Sequence, residues 1–163
     1  MNARTTRTLA AALSLTAALA ISGCSSDSGA DADAADAKPE LTVSGGYMPE
    51  PVNDKMAGAF MVIKNGSKTA DKLTGVTSPL SDDLQIHETK DQKMQQVRSM
   101  DVPANGELKL ERGGSHVMFM GLKNTPKVGE KVTVELRFEK SSPIKVELDV
   151  KERTYKADNS TAH

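Results

Sequence analysis

Short runs in which apolar and polar side chains alternate one for one fill most of this sequence beyond residue 40. That period of two restricts the fold to strands with one face in a core. Residues 41–44, 58–64, 84–87, 108–110, 116–120, 131–138 and 144–150 all carry it. Turn-forming clusters separate the runs: Asn65-Gly-Ser67, Ala104-Asn-Gly106, Arg112-Gly-Gly114, Lys127-Val-Gly129 and Ser141-Ser-Pro143. Strands of this length at this spacing predict an all-β domain, a sandwich or barrel of antiparallel strands. No segment sustains a helical period, and no internal repeat is present. With no tryptophan and 3% aromatic residues, the core is predicted to consist mainly of Val, Leu, Ile and Met.

Residues 1–24 belong to no fold. Arg4 and Arg7 precede an apolar run over residues 9–21, too short for a stable transmembrane helix, and Ile21-Ser-Gly-Cys24 follows it. This is the anatomy of an export signal. Its last four residues resemble a bacterial lipobox, in which the cysteine is lipidated and opens the mature chain. Cys24 is the only cysteine, so it has no internal disulfide partner, and a bare thiol is a liability in an oxidising compartment. The expectation is an extracytoplasmic protein tied to the membrane through Cys24.

Residues 25–39 are small, polar and acidic with no large apolar side chain. They cannot bury enough surface to offset their ordering entropy, so they are predicted to form a flexible tether. Residues 40–153 are predicted to form one compact monomeric domain, and 154–163 a frayed polar tail. Removing the leader with Arg4 and Arg7 leaves 19 basic against 22 acidic residues, a net charge of about −3. No basic stripe remains to suggest nucleic acid.

The chemistry concentrates in residues 113–122, Gly-Gly-Ser-His-Val-Met-Phe-Met-Gly-Leu. On a strand, His116, Met118 and Met120 share one face while Val117 and Phe119 take the other. Soft sulfur combined with imidazole nitrogen is the donor set that favours Cu(I). His87 shares a face with Gln85, opposite Leu84 and Ile86. Met94 opens the next piece beyond a hairpin turn at Lys90-Asp-Gln92, which makes it a neighbour of His87 across a short ladder. His87, Met94, His116 and Met118 are therefore expected to gather outside the main core, on the sandwich surface or at its end.

With these residues in place, the chain resembles the PCuAC family of periplasmic copper chaperones, which carry a His, then a Met, then twenty-one residues, then His-x-Met. Twenty-one residues separate Met94 from His116, and Met118 supplies the last Met. His87-Glu-Thr89, Val102-Pro-Ala-Asn-Gly106 and residues 112–122 are also similar to the family, as are residues 58–65 and 73–79. The family places ten residues between the first His and the Met, whereas six lie between His87 and Met94. A hairpin shortened by four residues accounts for this, since an even deletion keeps strand parity. Met100, twelve intervening residues beyond His87, is the other option, but it falls on an apolar strand position and reads as core.

The resemblance implies a cupredoxin-like Greek-key β-sandwich that binds one Cu(I) through His87, Met94, His116 and Met118; Met120, on the same strand face, is a nearby reserve donor. It leaves open whether Cu(II) binds as well. It further implies delivery to the copper A centre of cytochrome c oxidase, directly or through a Sco-type protein. Three other readings weigh against it. A blue-copper electron carrier needs a Cys thiolate, and Cys24 lies in the leader. A sandwich whose methionines merely pack would be an adhesion or partner-binding module. An enzyme is not expected, because no nucleophile-base constellation or phosphate loop is present. Met48, Met56 and Met61 are expected in loops or core, His163 in the tail is incidental, and Glu88 is a solvated side chain rather than a partner of His87.

Overall fold

A computed structural model of the chain describes residues 38–157. The expected leader, the Cys24 anchor site, nearly all of the tether and the end of the tail with His163 lie outside these residues. Ten strands are described: β1 Leu41–Pro49, β2 Met56–Asn65, β3 Asp71–Thr77, β4 Asp83–Lys90, β5 Lys93–Val97, β6 Met100–Val102, β7 Gly106–Leu110, β8 His116–Met120, β9 Lys131–Phe138 and β10 Ile144–Lys151. They pair in the order β5-β4-β8-β2-β1-β10-β9-β3-β6, with β7 also on β2.

β2 belongs to both layers. Its first residues, Met56 to Ala59, pair with β8, and from Met61 onward it pairs with β7. The residues around this switch, Ala59, Phe60 and Met61, are buried in succession, as expected where a strand passes from one sheet to the next and presents both faces to protein. Two features depart from the expectation of a closed or purely antiparallel assembly. β5 and β6 end the strand order without joining, so the sheet does not close into a barrel. β1 and β10 run parallel, with Tyr47 opposite Asp149; they come from opposite ends of the domain, so no hairpin dictates their direction.

The alternation in the sequence builds the core. On β9, Val132, Val134, Leu136 and Phe138 face inward, and Leu148 and Val150 of β10, Leu73 of β3 and Phe119 of β8 join the same cluster. Each fully buried side chain of this kind contributes about 1.5–3 kcal/mol of transfer free energy. Gly45, at φ 63, sits where the β1–β2 register shifts between Ser44 and Tyr47. A β-carbon is strained in that conformation.

Asp71 is the buried polar exception at the start of β3. Its carboxylate accepts backbone N–H bonds from Lys72 at 2.8 Å and from Lys140 and Ser141 at 2.9 Å each, which ties β3 to the β9–β10 connection. Burial raises its pKa, but these bonds to the charged form outweigh that effect and hold the carboxyl below its ordinary value.

Candidate metal centre

The site lies on the outer face of the sheet formed by β5, β4, β8 and the start of β2. β8 runs through its middle. On one side His116, Met118 and Met120 stand opposite His87, Gln85 and Asp83 of β4. On the other side Met118 stands opposite Gly58, and Met120 opposite Met56. Register partners share a face, so these side chains project together, away from Ile86, Val117 and Ala59.

The two imidazoles are cross-strand neighbours with ring centroids 5.4 Å apart. His116 Nδ1 donates to the Gly114 carbonyl at 2.9 Å, because a carbonyl can only accept. Its Nε2 therefore carries the lone pair. His87 Nε2 donates to Gln85 Oε1 at 3.0 Å, while the Gln85 amide donates to the Asp83 carboxylate at 3.1 Å. That chain leaves His87 Nδ1 as the bare nitrogen, and it is buried with no hydrogen-bond partner among the described residues. A buried imidazole lone pair without a donor is costly unless something electrophilic fills the position. Burial first, and the neighbouring His116 second, lower the His87 pKa below 6.5, so the ring is neutral and ligand-competent at neutral pH.

The thioethers approach from three strands. His116, Met118, Met94 and Met56 all line one cavity of about 540 Å³, with Phe60 and Val52 in the same wall. Met94 lies on β5 opposite Thr89, beyond a two-residue turn at Asp91 and Gln92, both in the left-handed region at φ 50 and 61. Its diagonal neighbour on the same face is His87, whose direct partner is Gln96. Of the four residues expected from the sequence, three thus meet at one cavity and His87 adjoins His116.

Several expectations need adjustment. His116 is on the face away from the hydrophobic core, as parity requires, but at 5% exposure it is buried rather than on the open surface. Phe60 is a neighbour, with its ring centroid 6.2 Å from that of His116. Met100 is buried on β6, as a core side chain is. Met48 and Met61 are also core, but Met56 is neither loop nor core: it opens β2 at 51% exposure. Met120 shares the donor face yet is not part of the cavity wall among the described residues. Glu88 accepts from Gln95 at 3.3 Å and takes no part. The Asp83–Gln85–His87 chain was missed, although its spacing of two along one strand was a readable signal. Among the described residues no three His, Cys, Asp or Glu side chains gather around a common point, so oxygen-rich or thiolate metal sites find no support there.

Known proteins share both sequence and fold with this chain. The model of the LpqE-like lipoprotein family matches residues 41–150. A lipoprotein of Leifsonia xyli subsp. xyli is 42% identical over 103 residues, which cover 60% of this chain and 61% of that protein. The match therefore spans less than two-thirds of that relative's length. The Cu(I)-bound DR1885 protein of Deinococcus radiodurans superposes with a TM-score of 0.58 at 30% identity, over 72% of this chain and 80% of that one. The copper-bound PCuAC domain of PmoF2 has the same fold, with a TM-score of 0.64 at 21% identity over 71% of this chain and 96% of the domain.

Proposed function

This chain belongs to the LpqE-like lipoprotein family, and from that membership and the donor geometry we propose that it is a copper chaperone, carrying one Cu(I) between His87, Met94, His116 and Met118. As a lipoprotein it resides outside the cytoplasm on a lipid anchor. The anchor is Cys24, residues 1–24 are the leader, 25–39 the tether and 40–153 the copper-carrying domain; the segment after it, expected to be frayed from residue 154, instead begins by packing on the domain, with the Tyr155 ring edge-on to Tyr47 at 4.9 Å between centroids. It binds cargo and catalyses no reaction.

One observation carries this reading. The unpartnered Nδ1 of His87 stands beside His116, next to a cavity lined by the Met94 and Met118 thioethers. Two imidazoles with thioethers suit a soft monovalent ion. Thioethers bind without losing a proton, and unlike paired thiols they cannot close into a disulfide outside the cell. The exposure gradient suits a carrier: His116 is 5% exposed and Met94 61%. The inner nitrogens hold the ion while the outer sulfur can yield to a recipient's ligand.

Loading under reductant and competing with a chromogenic chelator is expected to give one Cu(I) per chain, with two sulfur and two nitrogen neighbours by X-ray absorption. Failure to retain copper would leave a sandwich whose methionines only pack. The recipient we infer is the copper A centre of cytochrome c oxidase, reached directly or through a Sco-type protein. Mixing the loaded protein with a soluble copper A domain, with and without a Sco-type protein, and measuring copper in each separated component tests this.

A further inference from the structure

The cavity contains one soft side chain more than the proposed ligand set uses. Met56 lines it together with Met94, His116 and Met118, although it lies in a different strand from all of them and outside the His-x-Met spacing. Three observations single it out. Packing does not hold it, since 51% of its surface is exposed, whereas the neighbouring Ala57 and Ala59 are buried. Its strand brings no intervening side chain between it and Met118, because the residue that shares its face is Gly58, the register partner of Met118. A β-carbon at Gly58 would also stand 3.2 Å from Phe60 Cζ, a tight contact with the ring that neighbours His116. Met120, on the same face, is absent from the cavity wall.

Two imidazoles and three thioethers exceed by one what a four-coordinate ion takes. The two most exposed, Met94 at 61% and Met56 at 51%, lie on different strands. We propose that Met56 is an exchange ligand for Cu(I): its sulfur bonds to the ion as Met94 releases it, so that the metal passes between two exposed sulfurs without losing coordination. One copper–sulfur bond forms as another breaks, and the ion remains Cu(I) throughout. This rests on the Cu(I)-carrier reading above. A thioether is well suited to the step, being uncharged, flexible and free of any proton inventory.

Met56→Leu removes the sulfur while keeping an apolar side chain of similar volume at a half-exposed position. Methionine methyl NMR of the full chain, titrated with silver(I) as a non-oxidising soft probe and then with Cu(I), is expected to shift the Met56, Met94 and Met118 methyls together. Met56→Leu is expected to slow Cu(I) transfer to a chelator about tenfold while changing affinity only about threefold, and Met56→Leu with Met94→Leu to lose affinity beyond the product of the single changes. A Met56 methyl that stays fixed while that of Met118 moves, with transfer from Met56→Leu at the wild-type rate, would overturn the exchange role and leave the carrier standing. If neither methyl moves, the carrier reading fails and this inference with it.

Discussion

His87 and His116 stand directly opposite each other across β4 and β8, and each donates one ring N–H to a nearby oxygen, Gln85 Oε1 for the first and the Gly114 carbonyl for the second. The tautomers are thereby opposite, with the lone pair on Nδ1 of His87 and on Nε2 of His116. Both acceptors lie two residues before their histidine on the same stretch of chain. Local sequence therefore sets which nitrogen of each ring is free, and strand pairing brings the two rings to 5.4 Å between centroids.

Met118 is the most direct test of the ligand set. Met118→Leu preserves volume, and its Cu(I) affinity is expected to fall at least about tenfold, or roughly 1.4 kcal/mol, with an unchanged far-UV spectrum. Chelator competition measures it; an affinity within about twofold of wild type would remove Met118 from the site.

Gln85 accepts a hydrogen bond from His87 Nε2, and in the proposed site it positions that ring rather than touching the ion. Loss of a hydrogen bond that orients a ligating histidine weakens metal binding about 10–100-fold, and Gln85→Leu is expected to fall within that span. Ring nitrogen NMR discriminates the cause, because the variant is expected to give a mixture of His87 tautomers where the wild type gives one, and Gln85→Glu, which keeps the acceptor oxygen, is expected to restore the single form.

Acid acts on the site through His87. Its folded pKa lies below the ordinary 6.5, so the unfolded chain binds more protons in that range. The stabilisation from its neutral form is complete above about 6.5 and is lost as pH falls through the lower folded value. Copper retention by this ring is expected to hold through neutral pH and to decline only below 6.5. An NMR titration placing the His87 midpoint above 6.5 would contradict this.

Asp71 tests stability apart from binding. Asp71→Asn removes the charge that three backbone N–H groups face, and is expected to cost about 1–3 kcal/mol in urea unfolding while Cu(I) affinity stays the same. Because the folded carboxyl is depressed below 3.8, the wild-type advantage is full above that value and shrinks as pH falls through the folded pKa. The variant's stability curve is expected to be flatter in acid.

The proposed anchor rests on one sulfur. Cys24→Ser is expected to move the protein from the membrane fraction to the soluble fraction, as read by fractionation and by loss of lipid mass. Retention at the membrane would place the anchor elsewhere.

Where one face is apolar and the other polar, the strands were legible almost residue for residue. The runs at 116–120 and 131–138 coincide with β8 and β9. β3 escaped the alternation because one of its inward positions is the buried Asp71 and its register shifts between Leu73 and Gly75; only its likeness to a known family pointed there. β5 escaped because, as an edge strand, most of it faces water and carries no apolar side to read. Met94 was nevertheless placed on the donor face, since a hairpin transmits parity across its turn.

What the chain determined alone is the direction of each donor. Successive side chains on a strand alternate by covalent geometry, so His116 and Met118 must project together, and His87 with Gln85, whatever surrounds them. Tertiary structure decided the rest: that His116 is buried, with Phe60 as a neighbour, that Met56 shares its cavity with Met118, and that β1 runs parallel to β10. These depend on which distant strands become neighbours, and that choice is settled by burying the whole core at once rather than by any local run of residues.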